Sequence, residues 1–331
     1  MRNHFGAVLA TAKGGRAVAV CIAVLVLGGC YRPQVIGGRE ASASLQGIDD
    51  QGWPRVKGLR LHVFNTGMNR VSPLLVGSPA PWRPAPAFVV EHPIEGLVVF
   101  DCGLGREIVR DGEGALHPIT RLLFKARSAP GRELPDQMRL AGLSPDAVRT
   151  VIFSHLHFDH VGTAESFRNA RFVAGLGARR AARSRMQGFE PLHTDWIDPS
   201  RWSEIDLAAE APYATFDHGK DLFGDNSLIA VEGGGHNTGG LALFVNLPGG
   251  PVLLAGDTVV HFDWLASDDV QRIVENPERA ADVRNMVRAL LRVVPDLVLV
   301  PGHDLSGLPH GRDDLVLHDG GLFSAEAWVL D

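Results

Sequence analysis

The sequence predicts a mixed α/β fold built on buried sheet, and three observations carry that expectation. Four short apolar runs, Val151–Phe153, Leu228–Val231, Pro251–Leu254 and Leu297–Val300, read as strands buried on both faces. Each run is followed within a few residues by a histidine or aspartate: His155, His236, Asp257 and His303. A covering helix is signalled by Asn276-Pro277, a good N-cap residue followed by proline in the first turn. Beyond it Val283, Met286, Val287, Leu290, Leu291 and Val294 recur at helical spacing, as a core-facing stripe requires.

The remaining elements follow along the chain. Residues 30–57 are polar, with Gly and Ser, and read as a tether. Leu59–Thr66 alternates as a strand, and Ala87–His92 and Leu97–Asp101 read as the next two. Between them Ser72–Pro86 holds Pro73, Pro79, Pro81, Pro84 and Pro86, too many for a helix or a central strand. Ile119–Arg127 and Pro135–Ala141 are expected helices, and Pro145 fits the first turn of a short one leading into the strand Thr150–Phe153. No internal repeat or second domain is evident, so residues 58–331 are expected to form one domain.

The densest chemistry is Ser154-His155-Leu156-His157-Phe158-Asp159-His160. In extended backbone alternate side chains point the same way, so His155 and His157 can share one ion. Asp159 and His160 can then reach a neighbouring ion. Imidazole nitrogen and carboxylate oxygen suit zinc first, with iron, cobalt or manganese also possible. Later segments add Glu232-Gly-Gly-Gly-His236-Asn-Thr-Gly239, Ala255-Gly256-Asp257 and Pro301-Gly302-His303-Asp304. Taken singly, Asp257 reads as a turn aspartate and His303 as the neighbour of a helix cap. Their recurrence at strand ends argues for one shared site.

With Phe88-Val-Val-Glu-His-Pro93, Val98-Val-Phe-Asp-Cys-Gly103 and Gly302-His303-Asp304, this set resembles the metallo-β-lactamase superfamily, and within it the N-acyl-homoserine lactonase-like branch. The resemblance implies a four-layer αββα sandwich holding two divalent ions. His155, His157 and His236 would hold the first, and Asp159, His160 and His303 the second, with Asp257 bridging. It further implies a hydrolase that opens a lactone or related ester through a hydroxide shared by the ions, with Asp159 and Asp257 as catalytic residues. Ser154 and Asp304 are candidates to orient the histidines. Two departures stand out: the usual Gly-His-Thr-Pro-Gly reads Gly235-His236-Asn237-Thr238-Gly239, so its proline is lost, and Val260 stands where these lactonases carry a tyrosine that polarises the carbonyl. Tyr213, His193 and His218 are the distant candidates to replace it. The alternatives are a phosphotriester, phosphodiester, thioester or β-lactam hydrolase on the same metals, or a non-catalytic metal-binding envelope lipoprotein.

Residues 177–224 form a long insertion between the metal motifs, with Arg179, Arg180, Arg183 and Arg185 followed by Trp196, Trp202, Phe216 and Phe223. It reads either as a lid gripping a substrate's tail or as a solvated helix with satellite packing. The proline-rich loop likewise lines the pocket by resemblance, or is a rigid surface loop.

The N-terminus reads as an export signal over residues 1–29. Lys13 and Arg16 flank the apolar Ala17–Leu27, too short to span a bilayer, and Leu27-Gly28-Gly29-Cys30 resembles a bacterial lipobox. Lipid on Cys30 would anchor the protein in the cell envelope, at the outer membrane facing the periplasm in a Gram-negative organism. The chain carries a formal charge of −6, and the leader contributes only the bases Arg2, Lys13 and Arg16, so the mature part is more acidic still. Such a surface is a poor partner for nucleic acid. Cys102 is then left without a partner and is expected to be a small buried residue.

Overall fold

The computed structural model of the chain describes residues 34–50, 52–76, 80–183, 193–270 and 274–318. The export signal and Cys30 lie outside them, as does Arg185. In chain order the strands are β1 (Gln34–Val35), β2 (Arg60–Val71), β3 (Arg83–His92), β4 (Gly96–Phe100), β5 (Phe124–Arg127), β6 (Val148–Ile152), β7 (Arg171–Gly175) and β8 (Trp202–Ile205). There follow β9 (Gly219–Asp221), β10 (Leu228–Glu232), β11 (Leu241–Leu247), β12 (Gly250–Gly256), β13 (Asp269–Val270), β14 (Val298–Pro301) and β15 (Leu315–Leu317). One sheet runs β15-β2-β3-β4-β6-β7-β8, with β5 also paired to β2; the other runs β14-β12-β11-β10-β9.

Strand alternation sorts the apolar residues into layers. Phe88, Val90, Val98, Phe100 and Ile152 of the first sheet meet Leu228, Ala230, Leu243, Val245, Val252, Leu254 and Val300 of the second in one core. Their sequence neighbours Val89, Val99, Val151 and Phe153 point the other way, onto Leu134 and Met138 of the helix Leu134–Leu140. Ile229, Val231, Phe244, Leu253 and Leu299 back onto Val283, Met286, Val287 and Leu290 of the helix Pro277–Val293. The molecule is therefore the four-layer αββα sandwich. The runs lacked polar alternation because both faces of their strands are covered. Asn276 caps the long helix as expected, its side chain accepting from Arg279 N at 3.0 Å, a contact of the kind that contributes about 1 kcal/mol.

Several local expectations are corrected. The proline-rich stretch is not all loop: Arg83–Pro86 begins β3, a central strand. The prolines are tolerated because that half pairs with β2 alone, across a register shift between Asn65 and Met68, and pairing with β4 starts only at Phe88. The expected helix Ile119–Arg127 stops at Leu123, and Phe124–Arg127 becomes β5, drawn into antiparallel register with Val71–Met68. Tertiary pairing overrides the helical spacing there.

In its described residues the insertion 177–224 is a crossover that supplies β8 to the edge of one sheet and β9 to the edge of the other. Its aromatics are packing groups. Trp202 lies against Phe153 and Phe172, Trp196 meets Phe172 edge-on, and Phe216 packs on Phe244. The described residues between 34 and 57 are not a free tether either. β1 pairs with β13, and the buried Arg284 donates to Ile36 O at 2.6 Å. Trp53 Nε1 donates to Asn246 Oδ1 at 2.8 Å. This segment straps the long helix and the second sheet. Among the described residues no helix is long and apolar enough to cross a membrane.

At the far edge of the first sheet, His62 Nδ1 lies 2.7 Å from His318 Nε2, and His62 Nε2 lies 2.7 Å from Glu91 Oε1. Burial, with His62 nearby, pushes the pKa of His318 down to about 4. The stabilising effect of keeping His318 neutral is present above its unfolded value near 6.5 and is lost as pH falls from there towards 4. In His318→Gln, the loss of stability between those limits is expected to be shallower than in the wild type, read as the urea midpoint against pH. Parallel curves would contradict this.

Candidate metal centre

All seven expected ligand side chains converge at one end of the sandwich. The first sheet brings His155 and His157 on the loop after β6, and Asp159 and His160 on the short helix Phe158–Val161. The second sheet brings His236 after β10, Asp257 after β12 and His303 after β14. Ligand-capable atoms fall into two groups: His155, His157, His236 and Asp257, and Asp159, His160 and His303.

Asp257 stands between them. Its Oδ2 lies 3.4 Å from His236 Nε2 and 4.0 Å from His155 Nε2. Its Oδ1 lies 3.1 Å from His303 Nε2 and 3.4 Å from His160 Nε2. His157 presents Nδ1, 2.9 Å from His155 Nε2 and 3.2 Å from His236 Nε2. Asp159 Oδ2 is 3.5 Å from His303 Nε2. Gly302 allows this approach, since a Cβ there would overlap Asp257 Oδ1.

The surrounding hydrogen bonds fix which ring nitrogens face inwards. His160 Nδ1 lies 2.8 Å from Asp101 Oδ2, and His303 Nδ1 donates to Pro84 O at 2.8 Å, leaving both Nε2 atoms aimed at the centre. Asp101 also accepts from Ser154 N at 2.7 Å and from Ser154 Oγ at 2.7 Å. Ser154 thus serves as expected, with Oγ 3.0 Å from His155 Nδ1. Asp304 does not: its oxygens accept from Ser306 and from Phe262 N. Two contributors went unpredicted, Asp101 and Asn69, whose amide donates to Asp159 Oδ2. Asp101 follows the apolar end of β4 just as the ligands follow their strands, so the same rule would have found it.

The charge balance suits cations. Burial, then neighbouring imidazoles, hold His155 well below the ordinary pKa, and burial does the same for His157 and lowers His236. For all three the shift favours the neutral form, which a metal requires. Burial opposes charge on His160 and His303, but the aspartates around each overcome it and raise both. Burial would likewise raise Asp257, yet His303 and His160 hold it well below the usual carboxylate range. His160 Nε2 and Asp257 Oδ1 are buried with no hydrogen-bond partner. Orphaned donor atoms of metal-binding type, pointing at one another, fit a bound ion better than any protein contact.

None of the distant proton-donor candidates reaches this centre. Tyr213 OH lies in the second sheet's outer core, 3.4 Å from Asn246 Nδ2, where burial raises its pKa to about 12. His193 Nε2 pairs with Glu107 at 2.7 Å, and His218 Nδ1 donates to Glu210 O at 2.8 Å. Cys102 is fully buried, as expected of a packing residue.

A model of the metallo-beta-lactamase superfamily matches residues 80–303, which include every one of the seven ligand candidates. The chain belongs to the metallo-beta-lactamase superfamily. Within the superfamily it is similar to the N-acyl homoserine lactonase AttM of Rhizobium johnstonii, at 28% identity over 212 residues, covering 62% of this chain and 74% of that protein. Its fold matches that of an N-acyl homoserine lactone hydrolase solved with N-hexanoyl-L-homoserine at its catalytic metal center, with a TM-score of 0.62 and 20% identity. That match covers 76% of this chain and 95% of the other. A dizinc quorum-quenching lactonase, AidC, matches at a TM-score of 0.50 and 13% identity, over 76% of this chain and 90% of the other. The chain is thus a lactonase-like, metal-dependent hydrolase of the superfamily.

Proposed function

We propose that this chain opens a lactone or related ester at a dinuclear centre, with zinc the expected metal. The observation that carries the reading is Asp257, whose two carboxylate oxygens each face a separate set of imidazoles. When bound, the two ions would supply an activated water as nucleophile and positive charge for the substrate's carbonyl oxygen. The protein's own part is positional. Asp101 and Pro84 O fix the rings of His160 and His303, while Asn69 pins one oxygen of Asp159. The other oxygen of Asp159, 3.8 Å from His160 Nε2, can carry a proton to the departing alkoxide.

Turnover of the metal-replete protein on a long-chain acyl-homoserine lactone and on an aryl phosphotriester tests this reading. Lactone opening supports it, whereas phosphotriester cleavage alone would move the assignment to phosphoryl chemistry on the same metals.

We also propose that the protein is held in the cell envelope by lipid on Cys30, on the strength of the Leu27-Gly28-Gly29-Cys30 motif. Cys30→Ala is expected to shift the protein from the membrane fraction to unprocessed precursor or soluble material. Unchanged fractionation, with no mass shift after lipase treatment of the wild type, would remove the anchor.

A further inference from the structure

The first residue of β3 is a cation that, among the described residues, enters no hydrogen bond or ion pair. Arg83 opens β3, and its register partner across the antiparallel ladder is Asn69. Directly opposed residues of antiparallel strands project from the same face of the sheet. Asn69 reaches Asp159 from that face, so Arg83 projects towards the metal-binding end as well. The next residue, Pro84, supplies the carbonyl that holds His303.

Arg83 is half-buried, and burial lowers its pKa against the pull of Asp304 and Asp263. Among the described residues it nevertheless donates no hydrogen bond and makes no ion pair. Both nearby carboxylates are otherwise disposed. Asp304 accepts from Ser306 and Phe262 N, and Asp263, its side chain 89% exposed, has Oδ2 3.7 Å from His261 Nδ1. Beside the guanidinium lies His261, whose Nδ1 is buried without a hydrogen-bond partner and whose pKa burial and Arg83 push down to about 4. A partly desolvated guanidinium with unused donors is costly to maintain and offers a two-pronged match to an oxyanion.

We propose that Arg83 is the specificity residue of this site, binding a carboxylate that the substrate carries apart from its scissile bond, with His261 lining the same subsite. The inference rests on the ester-hydrolase reading above and narrows it to acidic lactones or esters.

The test uses a γ-butyrolactone bearing a ring carboxylate and the methyl ester of that carboxylate, which share one scissile lactone bond. For the wild type, the acid is expected to show the lower KM. In Arg83→Gln, the KM for the acid is expected to rise about tenfold or more, with kcat and metal content retained and the methyl ester unaffected. Arg83→Lys should recover part of the preference, which a purely structural arginine would not show.

Equal KM values in the wild type, or equal shifts for both compounds in Arg83→Gln, would overturn the proposal while leaving the hydrolase reading intact. Turnover of neither compound would instead speak against the hydrolase reading. Calorimetric binding of the same intact pair then decides the subsite: a preference for the acid that Arg83→Gln abolishes supports it, and equal binding overturns it.

Discussion

Asp257→Ala is expected to lower turnover by more than about a hundredfold and to reduce bound metal from about two ions per chain. Changes to groups that merely orient ligands cost about 10–100-fold, and Asp257 does more than orient. It is the side chain whose oxygens face both halves of the centre, Oδ2 towards His236 and Oδ1 towards His303. Removing it also leaves His160 and His303 without the carboxylate that lies between them. Metal analysis beside turnover separates the outcomes. Two tightly held ions and undiminished activity in the variant would show that the bridging role is wrong.

The second large effect belongs to Asp101, which stands outside the two ligand groups. Asp101→Asn keeps the size and the left-handed backbone conformation, φ 56°, that asparagine tolerates well. It removes the charge, and it leaves one oxygen to serve donors that now use two. His160 Nδ1 and Ser154 Oγ approach Oδ2, and Ser154 N approaches Oδ1. Metal affinity and turnover are expected to fall about 10–100-fold, the second ion being the more weakened. Metal titration followed by calorimetry reads this directly. If both sites keep wild-type affinity, Asp101 is only a structural buttress.

The ligand set was legible because His155, His236, Asp257 and His303 each follow the end of a buried strand, while His157, Asp159 and His160 crowd directly behind the first of them. Asp101 obeys that rule after Phe100, but its role is to hold His160 and Ser154, contacts that a strand-end position alone does not disclose. Asn69 could not have been found this way. It lies inside β2, and its link to Asp159 spans 90 positions of sequence and arises only when the two elements meet.

The architecture divides similarly. Strands with two covered faces announce themselves by hydrophobicity, but β8 and β9, with Ser203, Glu204, Lys220 and Asp221, lie at sheet edges and read as insertion. The strap over residues 34–57 is held by backbone pairing and by Arg284, contacts that composition does not record. Helix 118–123 ended early because Phe124–Arg127 found a partner in β2, a choice made by distant chain.

The two sheets contribute separate ligands, four from one and three from the other. Cys102 is a buried free thiol, and no disulfide is present among the described residues. Ions seated here would therefore act as the molecule's cross-link, closing a loop that runs from His155 to His303 and riveting one half of the sandwich to the other. Stripping them should loosen the seam between the halves before either sheet gives way.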